Sequence, residues 1–121
     1  MEPVVMINFH CVEATVRYLT TQEGGRRGPV GNGYRGQFHY QEDPHNPRDG
    51  FQYFPEDALE QGVIPLGKTV QAFIMFPKDR WDAFHSQRIR VGTPFQIQEG
   101  LRIVGRGQIT RTEADDSRIA T

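Results

Sequence analysis

The 121-residue chain has a single cysteine, Cys11. One thiol cannot build an internal disulfide framework, so the fold must hold by its core alone, and such sparing use of cysteine fits a reducing compartment. Lysine is also scarce: of fourteen basic residues, twelve are arginine, the side chain suited to planar, bidentate contacts with carboxylate or phosphate. A formal net charge of −1 argues against non-specific attraction to nucleic acid across the whole surface. No apolar run approaches the length of a membrane span, and the N-terminus lacks a basic-then-apolar leader. A soluble, cytoplasmic protein without a membrane partner is therefore expected. Hydrophobic residues make up only 36% of the chain, whereas glycine (13) and proline (8) are abundant. That mixture favours short strands and many turns over helical bundles.

The length suffices for one domain with its own core, expected over residues 1–111, with a polar, fraying tail over 112–121. The most informative stretch is Glu23-Gly24-Gly25-Arg26-Arg27-Gly28-Pro29-Val30-Gly31-Asn32-Gly33, a glycine-dense loop with adjacent arginines. It runs into an alternating segment that places Tyr34, Gly36, Phe38 and Tyr40 on one face and Arg35, Gln37, His39 and Gln41 on the other. Period two predicts a half-buried strand with a polar outer face. The same period predicts strands within 8–20 and over 70–76, the latter apolar on both faces. Two more, 90–99 and 101–111, are joined near Glu99-Gly100 as a hairpin. Gly105 and Gly107 suggest a bulge or tight barrel corner. Residues 51–54 read as a short strand, 55–61 as one helical turn and 81–87 as a connector. Asp43-Pro44-His45-Asn46-Pro47-Arg48-Asp49-Gly50 is a run of turn dipeptides. With no convincing long amphipathic helix, the pattern points to an all-β barrel or sandwich.

Gly62-Val63-Ile64-Pro65-Leu66-Gly67-Lys68-Thr69 matches the phosphate-loop spacing literally. The mechanism behind that spacing needs a buried strand before it and a helix after it, so that backbone amides face the phosphates. Here a strand follows and bulky residues fill the loop, so the stretch reads as a turn, and no nucleotide or other cofactor is expected. His10, His39, His45 and His85 share no metal-ligand spacing with each other or with Cys11, so packing or solvated roles are expected and no metal. The turn aspartates offer several His–Asp pairs on paper, and nothing selects one as catalytic. Arg26 and Arg27 admit two readings: an incidental pair on a solvated loop, or phosphate contacts on a backbone-exposing loop. Arg102 and Arg106 are expected on one face of the last strand, extending that basic surface.

Glu23-Gly24-Gly25-Arg26 followed by Tyr34-Arg35-Gly36-Gln37-Phe38 resembles the elongation factor Tu segment that reads EGGR, a short loop, then YRPQF. Phe95-Gln96-Ile97-Gln98-Glu99-Gly100-Leu101-Arg102-Ile103-Val104-Gly105-Arg106-Gly107 is similar to that family's closing FxIREGGRTVGAG. The two blocks lie in the same order and together span the family's C-terminal (third) domain, which accounts for nearly all of this chain. The resemblance implies a six-stranded antiparallel barrel of translation-factor type that contacts the T-stem of tRNA. Carried over by position, it implies RNA contacts at Arg26, Arg27 (a histidine in the family), Gln37, Glu99 and Gly100, with Arg35 on the adjoining strand face. It brings no GTPase domain, so no enzymatic activity is implied. The departures are Gly36 for proline, Val30 for phenylalanine, Leu101 for glycine and Gln98 for arginine. An acidic, proline-rich insert also follows the second strand, and its charge would repel phosphate. Two functions stand side by side: a stand-alone tRNA-binding barrel, and a protein-interaction module that mimics the barrel and docks on a translation-related partner without RNA.

Overall fold

The structure is a computed structural model and describes residues 8–114. The lead-in over 1–7 and most of the expected polar tail lie outside the described residues. Six strands form: β1 (Phe9–Tyr18), β2 (Gln37–Tyr40), β3 (Phe51–Tyr53), β4 (Thr69–Pro77), β5 (Pro94–Glu99) and β6 (Arg102–Arg111). A short helix, α1 (Lys78–Ala83), follows β4. The strands make one antiparallel sheet in the order β2-β5-β6-β1-β4-β3, curled into a half-barrel. The two edge strands approach each other through the bridge between Phe38 and Arg48 and through Gln52, whose amide donates to the Gly36 carbonyl (3.3 Å) while its Oε1 accepts from the Tyr18 hydroxyl (3.3 Å).

Alternation explains what the sheet buries. In β1 the residues Val12, Ala14, Val16 and Tyr18 point into the core, and β4 matches them with Val70, Ala72, Ile74 and Phe76. Phe73, on the other face of β4, is also fully buried, as its apolar second face implies. At the centre Phe38 stacks on Phe95 (centroids 4.9 Å apart) and meets Tyr40 and Phe76 edge-on at 5.2 Å. Aromatic clusters of this kind contribute beyond the area they bury.

Bulges bend the last strand. Ile97 pairs with Gly105 but Gln98 with Ile103, leaving Val104 as the extra residue. The insertion resets the alternation. Arg102 then falls on the face of Glu99, and Arg106 on the opposite face with Gln96, so the two arginines do not share a face as expected from strict alternation. Gly107 pairs with both Phe95 and Val16 and leaves room for the Phe95 ring.

Three further expectations need correction. The predicted strand from Tyr34 is regular only from Gln37, because the Tyr34 and Arg35 side chains are engaged elsewhere. The predicted connector over 81–87 is preceded and entered by α1, whose Trp81 is buried between His10 (ring centroids 3.8 Å) and Phe76 (5.8 Å). Six residues are too few for a helical period to show in sequence. His39, placed on a solvated face, is buried, because the 43–49 insert folds over it. The Gly62–Thr69 stretch is a turn: Gly62 and Gly67 have positive φ, Ile64 bridges Val30, and Thr69 opens β4 directly.

Under the sheet edge lies a buried polar chain. His85 is 1% exposed; its Nε2–H donates to Asp49 Oδ1 (3.0 Å), which leaves Nδ1 to accept from the Tyr40 hydroxyl (2.5 Å). Burial outweighs the pull of Asp49 and holds the His85 pKa below the ordinary histidine value. The unfolded chain therefore takes up the proton first. Stability from this group is full above about pH 6.5 and falls as pH drops from there towards the lower folded value. Urea midpoints measured at pH 7.5 and pH 5.5 are expected to differ less in His85→Gln than in the native protein.

Candidate functional site

The glycine loop is built on a 3₁₀ turn, Thr21–Glu23, closed by a capping box. Thr20 Oγ1 accepts from the Glu23 amide (3.2 Å), and Glu23 Oε1 accepts from the Thr20 amide (2.8 Å). Such reciprocal caps satisfy two otherwise orphaned donors. Gly24 then turns the chain with φ of 91°, and the Thr21 hydroxyl donates to the Arg26 carbonyl (2.7 Å). Further along, the Asn32 amide donates to Phe54 O (3.0 Å) and its Oδ1 accepts from Phe54 N (2.7 Å). The loop is thus pinned at both ends.

This pinning brings Arg26 to the tip of the β5–β6 hairpin. Its guanidinium pairs with Glu99 Oε2, its Nε–H donates to Gly28 O (3.2 Å), and its plane lies over the Tyr34 ring, 4.6 Å from the centroid. The Tyr34 hydroxyl donates to the same Glu99 oxygen (2.6 Å). Arg26 and Glu99, read separately as RNA contacts, are therefore each other's partner, and Tyr34, assigned to the strand's apolar face, completes the group. Burial opposes ionisation of Glu99, but hydrogen bonds from Tyr34 and Arg26, with the charges of Arg26 and Arg102, hold its carboxyl below the usual range. Stability from Glu99 is thus present above the ordinary carboxylate value and lost as pH falls through the lower folded value. Glu99→Gln is expected to cost about 1 kcal/mol in urea denaturation, since the site is part-exposed.

The other expected residues divide. Gly100, with φ of 59°, forms the exposed hairpin tip. Gln37 opens β2 opposite Gln98, next to Glu99, and is exposed. Arg27 is exposed and, among the described residues, makes no hydrogen bond or ion pair. Arg102 faces Glu99 across the hairpin and is exposed. Arg35 does not join the group: it donates to the carbonyls of Asn32 (2.6 Å) and Tyr34 (3.0 Å), and its guanidinium lies over Phe51 at 4.8 Å, towards β3. Arg102 is thus an exposed cation at the tip, Arg26 is paired with Glu99, and Arg27, next to it in the loop, is exposed. Leu101, 97% exposed, stands between Gly100 and Arg102.

The acidic insert is less repulsive than its composition implies. Glu42 pairs with Arg88 (3.0 Å), Asp43 with Arg48 (3.2 Å) and Asp49 with Arg80 (3.1 Å). Pro44 and Pro47 of the insert wall a groove of about 650 Å³ on the outer face of β2, β5 and β6, and its far end opens at Gly100 and Leu101. Sequence reasoning missed this groove; the only signal for it was the insert's length between two strands.

Among the described residues no group of three or more His, Cys, Asp or Glu is arranged to hold a metal ion, and no helix is long and apolar enough to cross a membrane.

No protein-family model matches the chain. Over 100 residues it is 34% identical to elongation factor Tu 2 of Streptomyces avermitilis, a stretch that covers 83% of this chain and 22% of that protein. The chain thus spans about a fifth of the relative's length. It is translation-factor-like over most of its own length.

Proposed function

We propose that this chain is a non-enzymatic binding barrel that engages tRNA through the tip of the β5–β6 hairpin and the glycine loop, as a cytoplasmic protein working with the translation machinery. The observation that carries the reading is the meeting of Arg26, Glu99 and Gly100 at one tip, flanked by the exposed Arg27 and Arg102. Those residues come from the two sequence blocks that resemble elongation factor Tu, and the chain is 34% identical to a relative of that name over 83% of its length. Phosphate contacts from exposed arginines set register and supply salt-sensitive affinity. Gln37 lies beside the tip as a further polar contact, and Arg35 serves the loop more than the RNA. Neutralisation of the insert by local ion pairs removes the charge objection to an approaching phosphate backbone.

The alternative, a protein-interaction module without RNA binding, is favoured by one observation: Leu101 is almost fully exposed where the family carries glycine. Fluorescence titration of labelled tRNA separates the two readings. Binding is expected at low salt and should weaken steeply as salt rises, with a log–log slope of about −0.9 per phosphate neutralised. Absence of binding at low salt, or binding indifferent to salt, would contradict the RNA reading. Glu99→Gln is expected to tighten binding by a few-fold, on the order of one added phosphate contact, because it removes a carboxylate and frees Arg26.

A further inference from the structure

The groove beside the tip has a polar floor that the fold does not fully use. His39, Gln96 and Gln98 are all buried there, at 3%, 6% and 5% exposure. The Gln98 amide donates to the Pro44 carbonyl (3.0 Å) and to Gln96 Oε1 (2.9 Å). His39 Nδ1 lies 2.8 Å from the same Pro44 carbonyl. A carbonyl only accepts, so Nδ1 carries the proton and Nε2 is a bare acceptor. That nitrogen is closed off from water and, among the described residues, has no partner. Buried acceptors left unpaired are rare and mark strain, function or a missing ligand. Burial also holds the His39 pKa below its ordinary value, which keeps the ring neutral and the acceptor available.

The groove lining contains no carboxylate, lysine or arginine, so its occupant is uncharged. The floor calls for a hydrogen-bond donor and for a group able to meet amide side chains. Pro44, Pro47, Leu101 and Ile103 offer apolar walls against which a flat ring can lie. A base meets all three requirements, whereas an acidic or basic peptide side chain meets neither the neutral lining nor the apolar walls. We propose that the groove is a subsite for a single unpaired nucleobase, turned out of its stack, that donates an N–H to His39 Nε2 and meets the Gln96 and Gln98 amides. The assignment rests on the RNA reading above and adds to it a preference for an extruded base. Because Nε2 is covered in the free chain, neighbouring side chains must yield as the base enters, exchanging an unpaired acceptor for a paired one.

The test uses two RNA stems of equal charge, one fully paired and one carrying a bulged adenosine, whose exocyclic amine is a donor. The bulged stem is expected to bind about tenfold tighter, the order of one stacked and hydrogen-bonded base. In His39→Phe that advantage should vanish while the paired stem binds as before. The ¹⁵N shift of His39 Nε2 in the native protein should move with the bulged stem and stay still with the paired one, a readout that does not depend on the variant's folding. Equal affinity for both stems with an unmoved Nε2 shift overturns the subsite and leaves the RNA reading standing. Failure of both stems to bind at low salt overturns both, as does a protein partner that occupies the groove of a chain indifferent to RNA.

Discussion

Gly107→Ala is expected to destabilise the protein by about 3 kcal/mol, near the upper end for overpacking a tight core. A Cβ at this position would lie 2.3 Å from Phe95 Cζ and 2.5 Å from the Thr15 carbonyl oxygen. The first contact belongs to a ring already stacked on Phe38, and the second to the backbone of β1, so neither gives way cheaply. Shifting Phe95 disturbs the core centre, and shifting Thr15 strains the β1–β6 ladder that carries the hairpin. Thermal unfolding should report a fall of roughly 12 °C, at about 4 °C per kcal/mol for a domain near this size. Gly33→Ala is the matched control: nothing lies within 4 Å of its added Cβ, and a change within about 0.5 kcal/mol is expected. A Gly107→Ala protein as stable as that control would mean that the β5–β6–β1 packing is not as described.

The second large effect is on binding. Replacing Arg27 by Glu and Arg102 by Gln reverses one charge and removes another at the hairpin tip. Both side chains are exposed and neither holds the fold through an ion pair among the described residues. The double variant should therefore unfold at nearly the native denaturant midpoint, as surface changes do. Its affinity for tRNA at low salt is expected to fall about a hundredfold, with a shallower salt dependence, because exposed arginine–phosphate contacts dominate such binding. Arg35→Ala is the informative comparison. Its guanidinium is committed to loop carbonyls and to Phe51, so it should change affinity far less than the tip variant.

Much of the barrel was legible because its strands are long enough for alternation to speak. β1 alternates from Val12 to Tyr18, β4 carries an apolar run with one strictly alternating buried face, and the glycines of β6 announced its irregularity. The β5–β6 hairpin could be placed from Glu99-Gly100, where the structure puts a positive φ. What escaped were features decided by contacts between distant segments. Arg26 and Glu99 are 73 residues apart, and nothing local says that a basic loop and an acidic hairpin end will neutralise each other. Tyr34 looked like the first residue of a strand face, yet its hydroxyl is taken by Glu99 before the strand begins. His39 stood on the polar side of an alternating pattern, and only the insert folding back over β2 buried it. The single extra residue at Val104 was enough to separate Arg102 from Arg106. The two sequence blocks named Arg26, Arg27 and Glu99, and tertiary contacts determined which of these charges are paired.

That redistribution is where the account departs most from a residue-by-residue transfer. The arginine matching the family's backbone contact, Arg26, is held by Glu99 and Tyr34, while Arg27 and Arg102 remain exposed. The most direct test is an amide chemical-shift map of the ¹⁵N-labelled chain on addition of tRNA at low salt. The account predicts shifts concentrated at Arg27, Gly100, Leu101 and Arg102, with the turn at Arg90–Gly92, at the other end of β5, unmoved. Shifts centred on that turn, or none at saturating tRNA, would contradict it.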